Sequence, residues 1–357
     1  VSDKISECKR ILKRAFQYAR KRDIARLIFG VFLLMLIQPM TPTVAQTPIT
    51  EVPFEILSEY TASTEDKHQG PVIGVRINGG QKVERFLIDT GSTGIIVNKS
   101  TAKRYQLKES EQQFRINEKL LQSKGTQSDS IPSGRRASIE TIEIGDFEFE
   151  GEVLVIDDAI LNRVLGKHEI AGVIGMDILS QFAVEINSSS RKVKLFAYGK
   201  LSTAKLQEIG YIQPNNKGTS LVTNSQISTI KQSSDKQNEG ESREFFVAVQ
   251  IDNALTIPLF VDTGSQRTKV SLEFQKKLKD KRLKQSGLES IGIGREVSFQ
   301  VATCDLALAD EVIKNVEVAF FKQSDLDNFP GVLGMDVMSQ FIVLLDFPAK
   351  KAYLRKP

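Results

Sequence analysis

Leu87-Ile88-Asp89-Thr90-Gly91-Ser92 and Phe260-Val261-Asp262-Thr263-Gly264-Ser265 are one hexapeptide pattern written twice, 173 residues apart. Each runs apolar residues into an acid and then turns at a glycine. The apolar run reads as a buried strand, and Gly91 and Gly264 let the backbone turn sharply at its end. A buried carboxylate without partners would be very unfavourable. Backbone amides of the turn and the hydroxyls of Ser92 and Ser265 are expected to hydrogen-bond it, with Thr90 and Thr263 pointing inward to brace the turn. A single copy would be an ordinary turn whose acid holds its own backbone.

The rest of the chain repeats as well. Gly172 to Phe182 and Gly331 to Phe341 agree at eight of 11 positions, and the other three exchange Ile, Leu, Val or Met. An internal duplication explains this. The offset here is 159, so the first copy holds 14 additional residues between the two matches, expected in the polar stretch around Lys119 to Arg136. Duplicated lobes pack about a pseudo-twofold axis, which brings Asp89 and Asp262 face to face. Carboxylates roughly 3 Å apart cannot both ionise and share one proton. The ionised member then takes a proton from water while the other donates to a substrate carbonyl, which is general acid and base catalysis of amide hydrolysis.

Short runs with period-two character, such as Val72 to Ile77, Phe86 to Ile88 and Ile139 to Ile144, read as strands, with turns at Asn78-Gly79-Gly80 and Gly145-Asp146. The fold class is therefore all-β. Residues 201–244 are polar and rich in Gln, Asn and Ser, a linker expected to be mobile at least from Asn224 to Ser242. The strand pattern restarts at Phe245. Ser271 to Lys284 reads as an amphipathic surface helix.

The first 26 residues hold nine Lys or Arg against three acids, and without them 39 basic residues face 41 acidic ones. No concentrated basic surface for nucleic acid remains. The basic start runs into an apolar stretch from Leu27 to Ile37 and then Thr43-Val44-Ala45, the order of a secretory leader. Residues 1–45 are expected to be a signal peptide cut after Ala45 or, if uncut, a signal anchor and the chain's one membrane attachment. Either way the remainder is exported, periplasmic or secreted. Cys8 lies in that leader, so Cys304 has no partner for a disulfide in the exported chain and reads as a small buried residue. Only His68 and His168 occur, too few for a His-rich metal site or a Ser-His-Asp triad. No metal or other cofactor is expected.

Asp-Thr-Gly-Ser followed later by two apolar residues and a glycine resembles the bacterial retropepsin-like aspartyl proteases, in the clan of pepsin and retropepsin, in a tandem two-lobe form. The resemblance implies two related β-barrel lobes with short helices, lobe 1 at 71–200 and lobe 2 at 245–357, preceded by an arm at 46–70. It implies an aspartic endopeptidase acting on polypeptide, with Asp89 and Asp262 catalytic and Thr90, Gly91, Ser92, Thr263, Gly264 and Ser265 supporting them. Val173-Ile174-Gly175 and Val332-Leu333-Gly334 match the segments that cross behind the active-site loops and brace them, Ile174, Gly175, Leu333 and Gly334 above all. Asp177 and Asp336 read as N-caps of the short helices that follow. A flap hairpin is expected in each lobe, at Gly125 to Gly134 and at Ile291 to Phe299. The loops differ after the shared motif, Ser92-Thr93-Gly94 against Ser265-Gln266-Arg267, so the two sides of the cleft should differ. Two other arrangements fit the same residues: a catalytically silent peptide-binding module, and lobes that pair between chains in a homodimer rather than within a monomer.

Overall fold

The computed structural model describes residues 47–56, 70–115, 133–165, 169–213 apart from 198 and 200, 245–278, 283–291, 295–308, 311–322, 326 and 329–357. The expected leader, His68, His168 and the stretch from Asn224 to Ser242 lie outside them.

Alternation decides the architecture. In lobe 1, β2 (Pro71–Ile77) and β3 (Glu84–Ile88) are joined by a turn in which Asn78 and Gly79 both take left-handed backbone, φ 48° and 66°. Lobe 2 makes the corresponding turn between β11 (Phe246–Ile251) and β12 (Leu255–Val261) with Asp252 and Asn253, φ 49° and 54°. Asn and Asp tolerate this region better than other side chains, and hairpins of this twist require it.

Each lobe then closes into a six-strand barrel. In lobe 1 the order is β2, β3, β8 (Gly172–Ile174), β4 (Ile96–Asn98), β7 (Phe147–Ile156) and β6 (Ser133–Ile144), with β6 returning to β2. In lobe 2 it is β11, β12, β17 (Gly331–Leu333), β13 (Lys269–Ser271), β16 (Glu311–Phe321) and β15 (Arg295–Leu308), with β15 returning to β11. Closure removes the unpaired edges that a small open sheet would leave. One strand hangs outside each barrel: β5 (Lys108–Arg115) on β6 and β14 (Lys284–Ile291) on β15.

Of the expected flaps, Gly125 to Ser133 lies outside the described residues but for its last position, and Gly292 to Gly294 lies outside them altogether. Pairing ends at Arg115 with Ser133 in lobe 1 and at Ile291 with Arg295 in lobe 2. In the sequence 17 and three residues separate these paired ends, a difference equal to the 14 that lobe 1 has in excess.

The lobes share an antiparallel sheet in which β9 (Ala183–Asn187) pairs with β18 (Ile342–Asp346), flanked by β10 (Lys192–Phe196) and β19 (Lys351–Arg355). Ala183 pairs with Asp346 and Asn187 with Ile342. Ala183 is the duplicate of Ile342 and Asn187 of Asp346, so the register is its own mirror about Glu185 and Leu344. That is a pseudo-twofold axis read from hydrogen bonding alone. The segment expected as an arm supplies β1 (Thr50–Ile56), whose first half pairs with β10 and second half with β2, tying the shared sheet to the first barrel.

Two expectations need correction. The start of the stretch assigned to a linker is ordered: α4 (Thr203–Glu208) follows Ser202, and Leu206 and Tyr211 pack with Phe196, Ile342, Leu344 and Tyr353 on the shared sheet. Those few apolar residues were hidden in a polar composition. The helix expected from Ser271 to Lys284 is only a 3-10 turn, Leu272–Lys277, capped by the Ser271 hydroxyl. Leu278 is buried in the lobe core, which takes the chain out of the helix, and β14 begins at Lys284. Cys304 is buried in β15, as a small core residue.

Candidate active site

Asp89 and Asp262 sit one residue beyond β3 and β12, each held by a strand beside it. β3 runs parallel to β8 and β12 parallel to β17, and the amides of Asp89 and Asp262 donate to the carbonyls of Ile174 and Leu333 at 3.0 and 3.1 Å. The braces then cross under the loops, where the amides of Met176 and Met335 donate to the carbonyls of Ser92 and Ser265, both at 2.8 Å. Gly175 and Gly334 leave no room for a side chain. A methyl group on Gly175 would lie 2.3 Å from the Gly94 carbonyl oxygen, and one on Gly334 2.4 Å from the Arg267 carbonyl carbon.

The loops meet at the axis. Thr90 Oγ1 donates to the Val261 carbonyl at 2.7 Å, and Thr263 Oγ1 donates to the Ile88 carbonyl at 2.8 Å. Each hydroxyl also accepts from the other threonine's amide, at 3.1 Å for Thr90 N and 3.0 Å for Thr263 N. Both side chains are buried. The sequence placed these hydroxyls inside their own turns. In the structure each braces the opposite lobe instead.

That exchange draws the acids together. A methyl group on Gly91 would lie 2.7 Å from Asp262 Oδ1, and one on Gly264 would lie 2.5 Å from Asp89 Oδ1, so each glycine makes space for the other lobe's carboxylate. The two carboxyls therefore lie on either side of the axis, close enough for each to feel the other's charge. Asp89 Oδ1 accepts from the Gly91 amide at 2.8 Å, and Asp262 Oδ1 from the amides of Gly264 and Ser265 at 2.9 and 3.2 Å. Burial first, and then the charge and hydrogen bond of Asp262, hold the Asp89 carboxyl well above its ordinary 3.8, against the downward pull of the Gly91 and Ser92 amides. Two acids this close retain one proton between them into a pH range where a solvated Asp has lost its own.

A family model described as aspartyl protease matches residues 73–178 and 247–337, once in each lobe. The chain belongs to the aspartyl protease family. The two matched segments fit the tandem, retropepsin-like arrangement of an aspartyl protease with both lobes in one chain. No curated protein matches this aspartyl protease closely enough to count as a relative.

Some details of the site differ from the sequence reading. The hydroxyls of Ser92 and Ser265 do not hold the acids. They donate, each at 3.0 Å, to the carbonyls of Gly94 and Arg267 and so tighten the loops. Asp177 and Asp336 are not N-caps: Gly175 and Gly334 hold that position for α3 (Met176–Leu179) and α5 (Met335–Met338), and the acids lie in the first turn. Asp336 accepts instead from Thr268, at 2.9 Å from its amide and 2.7 Å from its hydroxyl. In lobe 1 the residue at the Thr268 position is Ile95, a difference visible once the duplicates are aligned.

Proposed function

We propose that this aspartyl protease is an active endopeptidase that hydrolyses peptide bonds with a water held between Asp89 and Asp262. The observation that carries the reading is reciprocal: Gly91 borders the Asp262 carboxyl and Gly264 borders that of Asp89, so the two acids meet at the axis.

In the mechanism the acid pair holds one proton. The ionised oxygen removes a proton from the water as that water attacks the carbonyl carbon of the substrate, while the protonated oxygen donates to the carbonyl oxygen. The tetrahedral intermediate collapses when a proton reaches the leaving nitrogen. No covalent enzyme intermediate is needed. The amides of Gly91, Gly264 and Ser265 fix the oxygens, and the threonine exchange fixes the separation of the loops. Preset geometry of this kind is what positioning contributes to rate.

Because both loops belong to one chain and bond to each other, the reading needs no second molecule. The basic, apolar, small-residue order of the first 45 residues supports action outside the cytoplasm, after leader cleavage or on a retained anchor. Incubation of the purified protein with an unfolded protein substrate across acidic to neutral pH tests the reading. Internal cleavage strongest in acid is expected. Peptide binding without cleavage at any pH would replace the enzyme by a silent binding module.

A further inference from the structure

The sheet face that carries the carboxylates differs between the lobes at one central place. In β3, Phe86 and Ile88 point into the barrel core while Leu87 points the other way, and in β12 Leu259 and Val261 point inward while Phe260 points the other way. Leu87 and Phe260 lie two residues before the acids. Across lobe 1 the registers place Leu87 beside Val173 and Val173 beside Ile96. Across lobe 2 the same registers place Phe260 beside Val332 and Val332 beside Lys269. Lys269 thus takes the place of Ile96 in an otherwise apolar row, and it is only 8% exposed.

A second cation stands on the same side. Arg267, two residues earlier and five after Asp262, has a side chain 19% exposed. Its guanidinium lies 5.5 Å from the centre of the Phe299 ring, and the Lys269 ammonium 5.8 Å from that of Phe321. The rings are themselves stacked, 5.3 Å apart. Arg267 also pairs with Glu317, a mostly exposed acid, at 2.9 Å. The duplicates of Arg267 and Lys269 are Gly94 and Ile96, both uncharged. Burying an ammonium is costly, and lobe 1 builds the same row with isoleucine. A barrel of this kind therefore forms without a cation at this place, and the charge is a difference particular to lobe 2.

We propose that Arg267 and Lys269 form a carboxylate-recognising subsite, so that the enzyme selects polypeptides carrying Asp or Glu on one side of the bond it cuts and an aliphatic side chain at the mirrored position. The proposal rests on the peptidase reading above. A cation partly withdrawn from water binds a carboxylate better than an exposed one does, and rejects the isosteric amide.

The test has two stages. Cleavage of a mixed peptide library by the full chain should show acidic residues enriched at one position, on one side of the cut bond only. A matched pair of peptides, Glu or Gln at that position, should then differ in kcat/KM by about tenfold or more, as expected for a charge-assisted contact. Lys269→Ile, which copies lobe 1, should bring the ratio close to one, and Lys269→Arg should keep it. Cleavage without acidic enrichment, or a Glu preference that survives in both Lys269→Ile and Arg267→Gln, overturns the subsite and leaves the peptidase reading intact. If the wild type cuts nothing, binding of labelled acidic and amide library peptides decides. A preference for acid that Lys269→Ile abolishes retains the subsite and removes the peptidase, whereas equal binding removes the subsite.

Discussion

Thr90 and Thr263 exchange hydrogen bonds across the pseudo-twofold axis, each hydroxyl accepting from the other's amide and donating to a carbonyl of the opposite lobe's strand. Four bonds between buried groups thereby fix the distance between two loops that come from halves of the chain 173 residues apart. Threonine suits the task because one hydroxyl both donates and accepts.

Thr90→Val keeps the shape but strands the Val261 carbonyl and the Thr263 amide. The expected loss of stability is about 1–3 kcal/mol for each buried group left unpaired. Denaturant unfolding of Thr90→Val and Thr263→Val should show similar losses, and Thr90→Ser should recover most of the difference. Valine variants as stable as the wild type would mean that the exchange contributes little.

Gly91→Ala puts a methyl group 2.7 Å from Asp262 Oδ1, closer than any carbon contact allows, so the carboxyl must move. Displacement of a reacting group by about 1 Å costs on the order of 100-fold in rate. Peptide hydrolysis by Gly91→Ala and by Gly264→Ala should fall by at least that factor while thermal melting changes little. Wild-type rates in either variant would contradict the reciprocal packing.

The raised Asp89 carboxyl makes stability depend on pH. The folded chain keeps a proton there that the unfolded chain gives up above about 3.8, so this contribution is whole below 3.8 and is lost as pH rises through the folded value. Asp89→Asn has no proton to lose. Melting temperatures of the wild type and Asp89→Asn should converge in acid, and the variant should be the more stable toward neutral pH. Parallel curves would show that burial of the pair costs nothing on ionisation.

Leu206 is buried where the ordered start of the connecting segment lies against the sheet shared by both lobes. Leu206→Ala should cost about 2–5 kcal/mol, the range for deleting a buried leucine side chain. Chemical unfolding is the measurement. A loss well below 1 kcal/mol would mean that the segment rests on the sheet without sealing it.

Much of this was legible because it lies in local pattern. Alternation gave the strands around Val72, Phe86 and Ile139, and the repeated Asp-Thr-Gly-Ser and Gly-Met-Asp segments gave two related lobes and the two acids. What was hidden involves partners distant in sequence. The threonines look like braces of their own turns, because only the assembled pair reveals the opposite lobe's carbonyls within reach. Asp336 looks like a cap because its partner, Thr268, lies 68 residues away. Leu206 and Tyr211 vanish in a polar stretch because a few apolar residues scattered among polar ones do not make a pattern until a sheet face awaits them.

The pairing of Asp89 with Asp262 inside one molecule is tested most directly by measuring cleavage of one peptide by Asp89→Asn, by Asp262→Asn and by an equimolar mixture of the two. The expected result is no measurable hydrolysis by either variant or by the mixture, with each still folded. Full activity in either single variant, or activity restored by mixing, would contradict a dyad built from the two lobes of one chain.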